Sequence, residues 1–285
     1  LEGAGDVLRD LMLRTPPNVG GGVRDTFAML RVSRRMRKAG MAARRDLFDL
    51  MMKGAGDVLD SWFESAPLKA AFGFDAVVGN YASPYAPGSA YVLLHHVIGE
   101  VNGRRGAWGH AVGGMGAITQ AMAREAERRG VEITTGCEVH KVCIDQRGAQ
   151  GVQLADRSMV DARCVVANVD PRRLYLKLVD AAALDEDFVQ RIRGYKCGSA
   201  TFRMNVALAE LPDFTCMPGR GPHLRGAVSI SPSVTYLERA YDDAKYGDFS
   251  RRPYMDIVIP SMLDPAMAPP GRHVMSIFVQ DPPYQ

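Results

Sequence analysis

The amino-acid sequence predicts an α/β to α+β protein of interleaved parts, and three observations carry that reading. Residues 1–110 show apolar side chains at helical spacing, residues 111–171 pass from a Gly-led helix into short β-branched segments, and residues 172–285 alternate helical with strand patterns. That order places a mainly helical portion first, a helix with a β-meander in the middle, and a mixed sheet with helices last.

In the first portion the spacing of Leu8, Leu11 and Met12, of Phe27, Leu30 and Met36, and of Leu47, Leu50 and Met51 predicts three helices. Asp25 is expected to cap the second, which should run to near Gly40. Ser65-Ala66-Pro67 marks another start, with proline in the first turn, and His95-His96 sit on a helix beside Leu93 and Leu94. The run Arg31 to Arg45 holds seven Arg or Lys and falls largely on a helix. A solvated face is the plainer reading of that run, and peripheral contact with a membrane surface is the alternative.

From Gly113-Gly114-Met115-Gly116 a tight turn opens a helix through Ile118, Met122 and Ala126, closed by Gly130. Strands are expected at Val131–Thr134, Glu138–Ile144, Gly151–Leu154, Ser158–Asp161 and Cys164–Ala167, ending in the turn Asn168-Val169-Asp170-Pro171. Beyond it the pattern predicts helices to Val179 and from Asp185 to Gly194, then a strand from Ala200 to Ala207. A helix from Val234 to Tyr246 and strands at Met255–Ile259 and His273–Gln280 complete the chain, the last two joined by the proline-rich stretch 260–270.

Composition excludes several classes. With 47% apolar and 24% charged residues the chain is of globular type, and 35 basic against 32 acidic residues, mostly scattered, give no nucleic-acid signature. No apolar run approaches the roughly 18 residues needed to cross a bilayer. Five cysteines without a C-x-x-C pair point away from disulfide chemistry and toward a cytoplasmic or other reducing compartment, mitochondrial in a eukaryote, rather than secretion. The six histidines form no metal-binding pattern.

Glycines at residues 113–116 let the backbone bend sharply at a helix N-terminus, where free N–H groups favour an anion. As a dinucleotide fingerprint the match is poor: Thr119 replaces the third glycine, although Glu132 follows at the spacing of a ribose-binding acid. A tight helix opening or pocket-lining turn is preferred. Trp108 and His110 flank the same loop and, with Met115, are candidates to face a substrate pocket. No nucleophile elbow appears, and no catalytic residue is assigned.

The segments Trp108–Ala117, Val165–Pro171, Ser261–Pro265, Ala268–Gly271 and His273–Gln280, in this order and spacing, resemble the phytoene-desaturase-like, amine-oxidase-type FAD-dependent oxidoreductases. The resemblance implies a two-domain fold in which residues 111–171 belong to an FAD-binding domain, while 1–110 and 172–285 build the substrate domain. It implies FAD as cofactor, with an adenine contact from the backbone near Glu138 and Val139 and a domain crossover at Asn168 and Asp170. The family's N-terminal G-x-G-x-x-G and its C-terminal FAD segment are absent from this sequence. The chain therefore reads as the central portion of an incomplete two-domain protein that binds FAD weakly or not at all by itself.

The expected activity of the parent is hydride removal from an apolar or amine-bearing small molecule, carotenoid (phytoene) desaturation being the alternative within the class. A non-catalytic lipid- or protein-binding scaffold is the alternative outside it, favoured by fifteen methionines and the basic helix. A homo-oligomer is also compatible with the reading.

Overall fold

The computed structural model describes residues 2–12, 14–196 and 201–281. Cys197, Ala200 and the final residues 282–285 lie outside the described residues. The chain divides into two compact units, Leu1–Ile118 with Gly198–Gln285, and Thr119–Cys197.

The first unit begins with six helices: α1 Glu2–Met12, α2 Val23–Lys38, α3 Gly40–Met52, α4 Ala55–Trp62, α5 Ala66–Val77 and α6 Ala90–Val97. Their apolar stripes converge as the spacing requires. Val7, Leu47, Leu50, Leu59, Leu93 and Leu94 are buried in one cluster, with Leu8, Leu11 and Met36 packed against it. Ser65 occupies the N-cap of α5 with Pro67 in its first turn, as expected. Asp25 does not cap α2. The cap is Gly22, and Asp25 lies one turn inside, where its carboxylate favours the helix N-terminus and accepts the Asn18 N–H at 2.9 Å. The basic run is also broken. Lys38 ends α2, and Gly40, at φ 75°, opens α3, so Arg31 to Arg45 spans two helices.

A two-residue hairpin follows, β1 Glu100–Val101 and β2 Arg104–Arg105. Its turn residues Asn102 and Gly103 both have positive φ, as such turns require. After the loop to Gly114 comes α7, Met115–Arg128. Gly130, at φ 82°, terminates it, and the Val131 N–H returns to the Ala126 carbonyl.

The second unit contains the antiparallel meander β3 Val139–Asp145, β4 Gly148–Leu154 and β5 Met159–Asp161, in sheet order β3-β4-β5. Two expected strands are not strands. Val131–Thr134 and Cys164–Ala167 belong to no regular element and have no ladder partner among the described residues, and Val166 is 91% exposed. A strand needs a neighbour as well as β-branched side chains. At residue 170 the chain turns into α8, Pro171–Arg173, which continues as a π-turn over Leu174–Leu178, and α9 Glu186–Arg193 follows with its cap at Asp185.

The chain then returns to the first unit. β6 Thr201–Leu208, β7 Val228–Ile230, α10 Val234–Lys245, β8 Met255–Val258 and β9 His273–Gln280 build a second sheet in the order β6-β9-β8-β7. Every pair in it is antiparallel. Gln280 anchors its end: the side-chain amide donates to the carbonyls of Val77 and Asn80 and accepts from the Gly79 N–H. Leu237 and Ala240 of α10 pack with Val77 and Tyr254 into a second core cluster. Helices with antiparallel sheets of this kind match the α/β to α+β expectation.

Candidate functional site

The Gly-rich turn is tied to a segment far away in sequence. Gly113 and Gly114 have φ of 82° and 76°, values that side chains with a Cβ seldom adopt. The Gly113 N–H donates to Asp264 Oδ2 at 2.6 Å, and the Ala266 N–H donates to Oδ1 of the same carboxylate at 3.0 Å. These two backbone donors hold the Asp264 carboxyl below its usual range, and His110 adds to the effect. A Cβ on Gly114 would lie 3.2 Å from Met267 Cε. Thus the glycine turn and the segment Ser261–Met267 form one lock, and the Gly113 N–H is committed to a protein carboxylate.

Trp108, His110 and Met115 are all exposed on this unit. Trp108 stacks on His96 of α6, ring centroids 6.1 Å apart with planes 10° from parallel. His96 Nδ1 lies 2.9 Å from the Val92 carbonyl, so its ring is oriented from below by its own helix. Of the adjacent histidines it is therefore His96 that joins the Trp108 loop, while His95 stacks toward Tyr91.

Beneath the second sheet lies a group that sequence reasoning missed. Arg203, Phe278, Asp256 and Ser229 fall in one cross-strand row, and the Arg203 guanidinium sits 5.6 Å from the Phe278 ring centroid. Burial pushes the Asp75 carboxyl up, opposed by His96; burial and the charge of Asp75 push Asp256 up, opposed by Arg203. Two half-buried carboxyls with raised pKa values release their protons less readily than exposed ones. Asp75 and Asp256 stand 181 positions apart, so only the strand register and the fold could reveal the pair.

The opposite face of the same sheet is apolar over its first three rows and ends at the pair Leu208 and His273. Register places Phe202, Val279, Met255 and Ile230 in one row and Met204, Ile277, Ile257 and Val228 in the next, with Val206 and Met275 beyond. Phe202, Met204 and Ile230 are 40–48% exposed, so the face ends in open apolar surface.

In the second unit, Glu138 pairs with Arg173 at 3.5 Å and its carbonyl accepts the Ala155 N–H. Asp170 accepts the N–H groups of Arg172 and Arg173, capping α8 with Pro171 in the first turn. Both carboxylates are thus engaged locally. Val139 opens β3 opposite Leu154, and the other edge of β3 has no strand partner among the described residues. Asn168 lies exposed on the extended segment leading into the cap. Of the four residues singled out in this unit, Val139 leaves backbone groups on an open strand edge and Asn168 an exposed amide.

The described cysteines, Cys137, Cys143, Cys164 and Cys216, are free thiols. No group of three or more potential metal ligands occurs among the described residues, and no described helix is long and apolar enough to cross a membrane.

Comparison with known proteins gives these features a context. The family described as flavin containing amine oxidoreductase matches residues 8–202. Pyridine nucleotide-disulfide oxidoreductase domain-containing protein 2 of Mus musculus is 41% identical over 244 residues, covering 83% of this chain and 42% of that protein. The zeta-carotene-forming phytoene desaturase of Myxococcus xanthus is 26% identical over 222 residues, 78% of this chain and 39% of that one. The chain therefore spans less than half the length of these relatives. A crystal structure of an oxidoreductase from Methanosarcina mazei shares the fold, with a TM-score of 0.56 at 20% identity over 95% of this chain and 58% of that one. With well over half of its length matched and a 41% identical relative, the chain belongs to the flavin-containing amine oxidoreductase family, on its phytoene-desaturase-like side.

Proposed function

We propose that the chain forms the substrate-binding portion of an FAD-dependent oxidoreductase that removes hydride from an apolar or amine-bearing small molecule. The observation that carries this reading is the largely apolar face of the sheet β6-β9-β8-β7, open at Phe202, Met204 and Ile230. Apolar area removed from water contributes about 25 cal/mol per Å², so such a face supplies binding energy without demanding a polar partner.

FAD, when bound, supplies the hydride-accepting chemistry. Within this chain the Val139 backbone on the free side of β3 and the exposed Asn168 amide fit the adenosine end of that cofactor, since a backbone contact needs an unpaired edge and not a special side chain. Glu138 and Asp170 act one step back: the first fixes Arg173, the second the start of α8. On the substrate side the apolar face orients the molecule and excludes water, while Asp256 and Arg203 lie on the opposite face of the same sheet. The identity with a phytoene desaturase favours a long apolar substrate over a short amine.

The test uses the complete protein reconstituted with FAD. Anaerobic mixing with a polyene such as phytoene, and separately with aliphatic amines, should bleach the flavin with one class. Phe202→Asp with Met204→Asp should slow that reduction about tenfold, a loss of ~1.4 kcal/mol of transition-state binding, while flavin stoichiometry stays unchanged. Stoichiometric flavin that no substrate reduces would favour the scaffold reading instead. Absence of bound flavin would overturn the oxidoreductase reading.

A further inference from the structure

We infer that helix α2 docks on the surface of a bilayer containing anionic phospholipid, with the cleft it forms beside α1 receiving a headgroup phosphate. The inference is independent of the flavin reading, because it rests on a different part of the first unit. None of the 16 residues of α2 is buried. Val23, Phe27, Leu30, Arg34 and Arg37 recur at helical spacing along one stripe, and the first three are 73%, 63% and 50% exposed. Beside it a cleft of about 620 Å³ is lined by apolar Leu11 of α1 with Ala28 and Val32 of α2, and by cations that include Arg31, Arg34 and Lys38.

Arg31, Arg34 and Lys38 form no ion pair with any described residue. The helix carries six cations against one acid, Asp25, which is already engaged by the Asn18 N–H. A merely solvated basic face has no need of an exposed Phe, Leu and Val on the same flank, and neither has a nucleic-acid site, whose affinity comes from phosphate neutralisation. Apolar residues flanked by cations on one exposed face are what an interfacial helix presents: the first enter the acyl boundary and the second meet the headgroups. The helix is roughly 24 Å long, at ~1.5 Å per residue, and lies along a surface rather than through it.

The experiment is co-sedimentation of the full chain with vesicles of phosphatidylcholine alone and of phosphatidylcholine with phosphatidylglycerol in equal parts. Binding to the anionic vesicles should be at least about tenfold tighter. Arg31→Glu with Arg34→Glu and Lys38→Glu should abolish the preference, and Phe27→Ser with Leu30→Ser should leave only a residual binding that moderate salt removes. All five side chains are exposed. If the triple variant loses its helical dichroism, single Arg34→Glu and Lys38→Glu variants serve, each weakening binding about fivefold. Equal binding to both vesicles, binding that neither set of variants changes, full competition by inorganic phosphate, or equally tight binding of duplex DNA would each overturn the proposal.

Discussion

The two compact units solve the folding problem differently. In the first, Leu50, Leu59, Leu93 and Leu94 are at most 1% exposed, and helices α3 to α6 are held by one another's apolar stripes. In the second, Val142 and Val189 are the buried hydrophobic residues described, while Val131, Ile133, Val160 and Val166 lie exposed. Its order comes from ladder hydrogen bonds, helix caps and backbone geometry instead of a core. Burial tolerates small changes of shape by partial relaxation, but a ladder fails when one backbone position is blocked.

That contrast can be broken most sharply at Gly151. Its φ is 148°, and a Cβ there would stand 2.1 Å from the Val160 carbonyl oxygen across β4 and β5. Gly151→Ala should cost about 3 kcal/mol or more and destroy the β4–β5 pairing. Amide exchange would show lost protection at residues 151–161 with α3 to α6 unaffected; unchanged protection would refute the geometric account. The converse variant is Leu94→Ala in the first unit, expected to cost ~3 kcal/mol through the cavity it leaves. Urea titration of the helical signal should move to a lower midpoint, with the exchange pattern of β3 to β5 intact.

A smaller effect, of opposite sign, separates packing from polar satisfaction inside the first unit. Asp281 is 2% exposed, its Oδ1 has no hydrogen-bond partner among the described residues, and burial raises its pKa to about 7. Because the folded state keeps this proton where the unfolded chain has lost it, stability should fall as pH rises from about 4 to about 7 and level off above. Asp281→Asn keeps the shape and tolerates the residue's φ of 67°. It should remove that slope and raise stability near neutral to alkaline pH by about 2 kcal/mol, read from thermal midpoints across the range. A slope unchanged in the variant would assign the pH dependence elsewhere.

Helices were the most legible part of the sequence, because their signal is local. Leu47 and Leu50, or Asp185 before α9, announce themselves within a few residues of the contacts they make. The strands at Val139–Asp145 and His273–Gln280 were equally plain, yet the same composition at Val131–Thr134 and Cys164–Ala167 gave irregular chain without a ladder, since pairing is a property of two segments. Asp25 misled for a related reason: an acid near a helix start fits both the cap and the first turn, and Gly22 took the cap. At the candidate site, the sequence singled out the turn at residues 113–116 and the segment Ser261–Pro265 separately. Their union through Asp264 was invisible, as were Asp75 and Asp256.

The sequence by itself determined the family, the helical and strand-forming segments, and the absence of a G-x-G-x-x-G phosphate loop, because each is written in short-range pattern. Only the tertiary structure decided that the Gly113 N–H binds a carboxylate and that one sheet face is largely apolar while the other carries Arg203 and Asp256. Register converts a one-residue step along a strand into a change of face, and a hydrogen bond across 151 positions exists only once the chain has closed on itself.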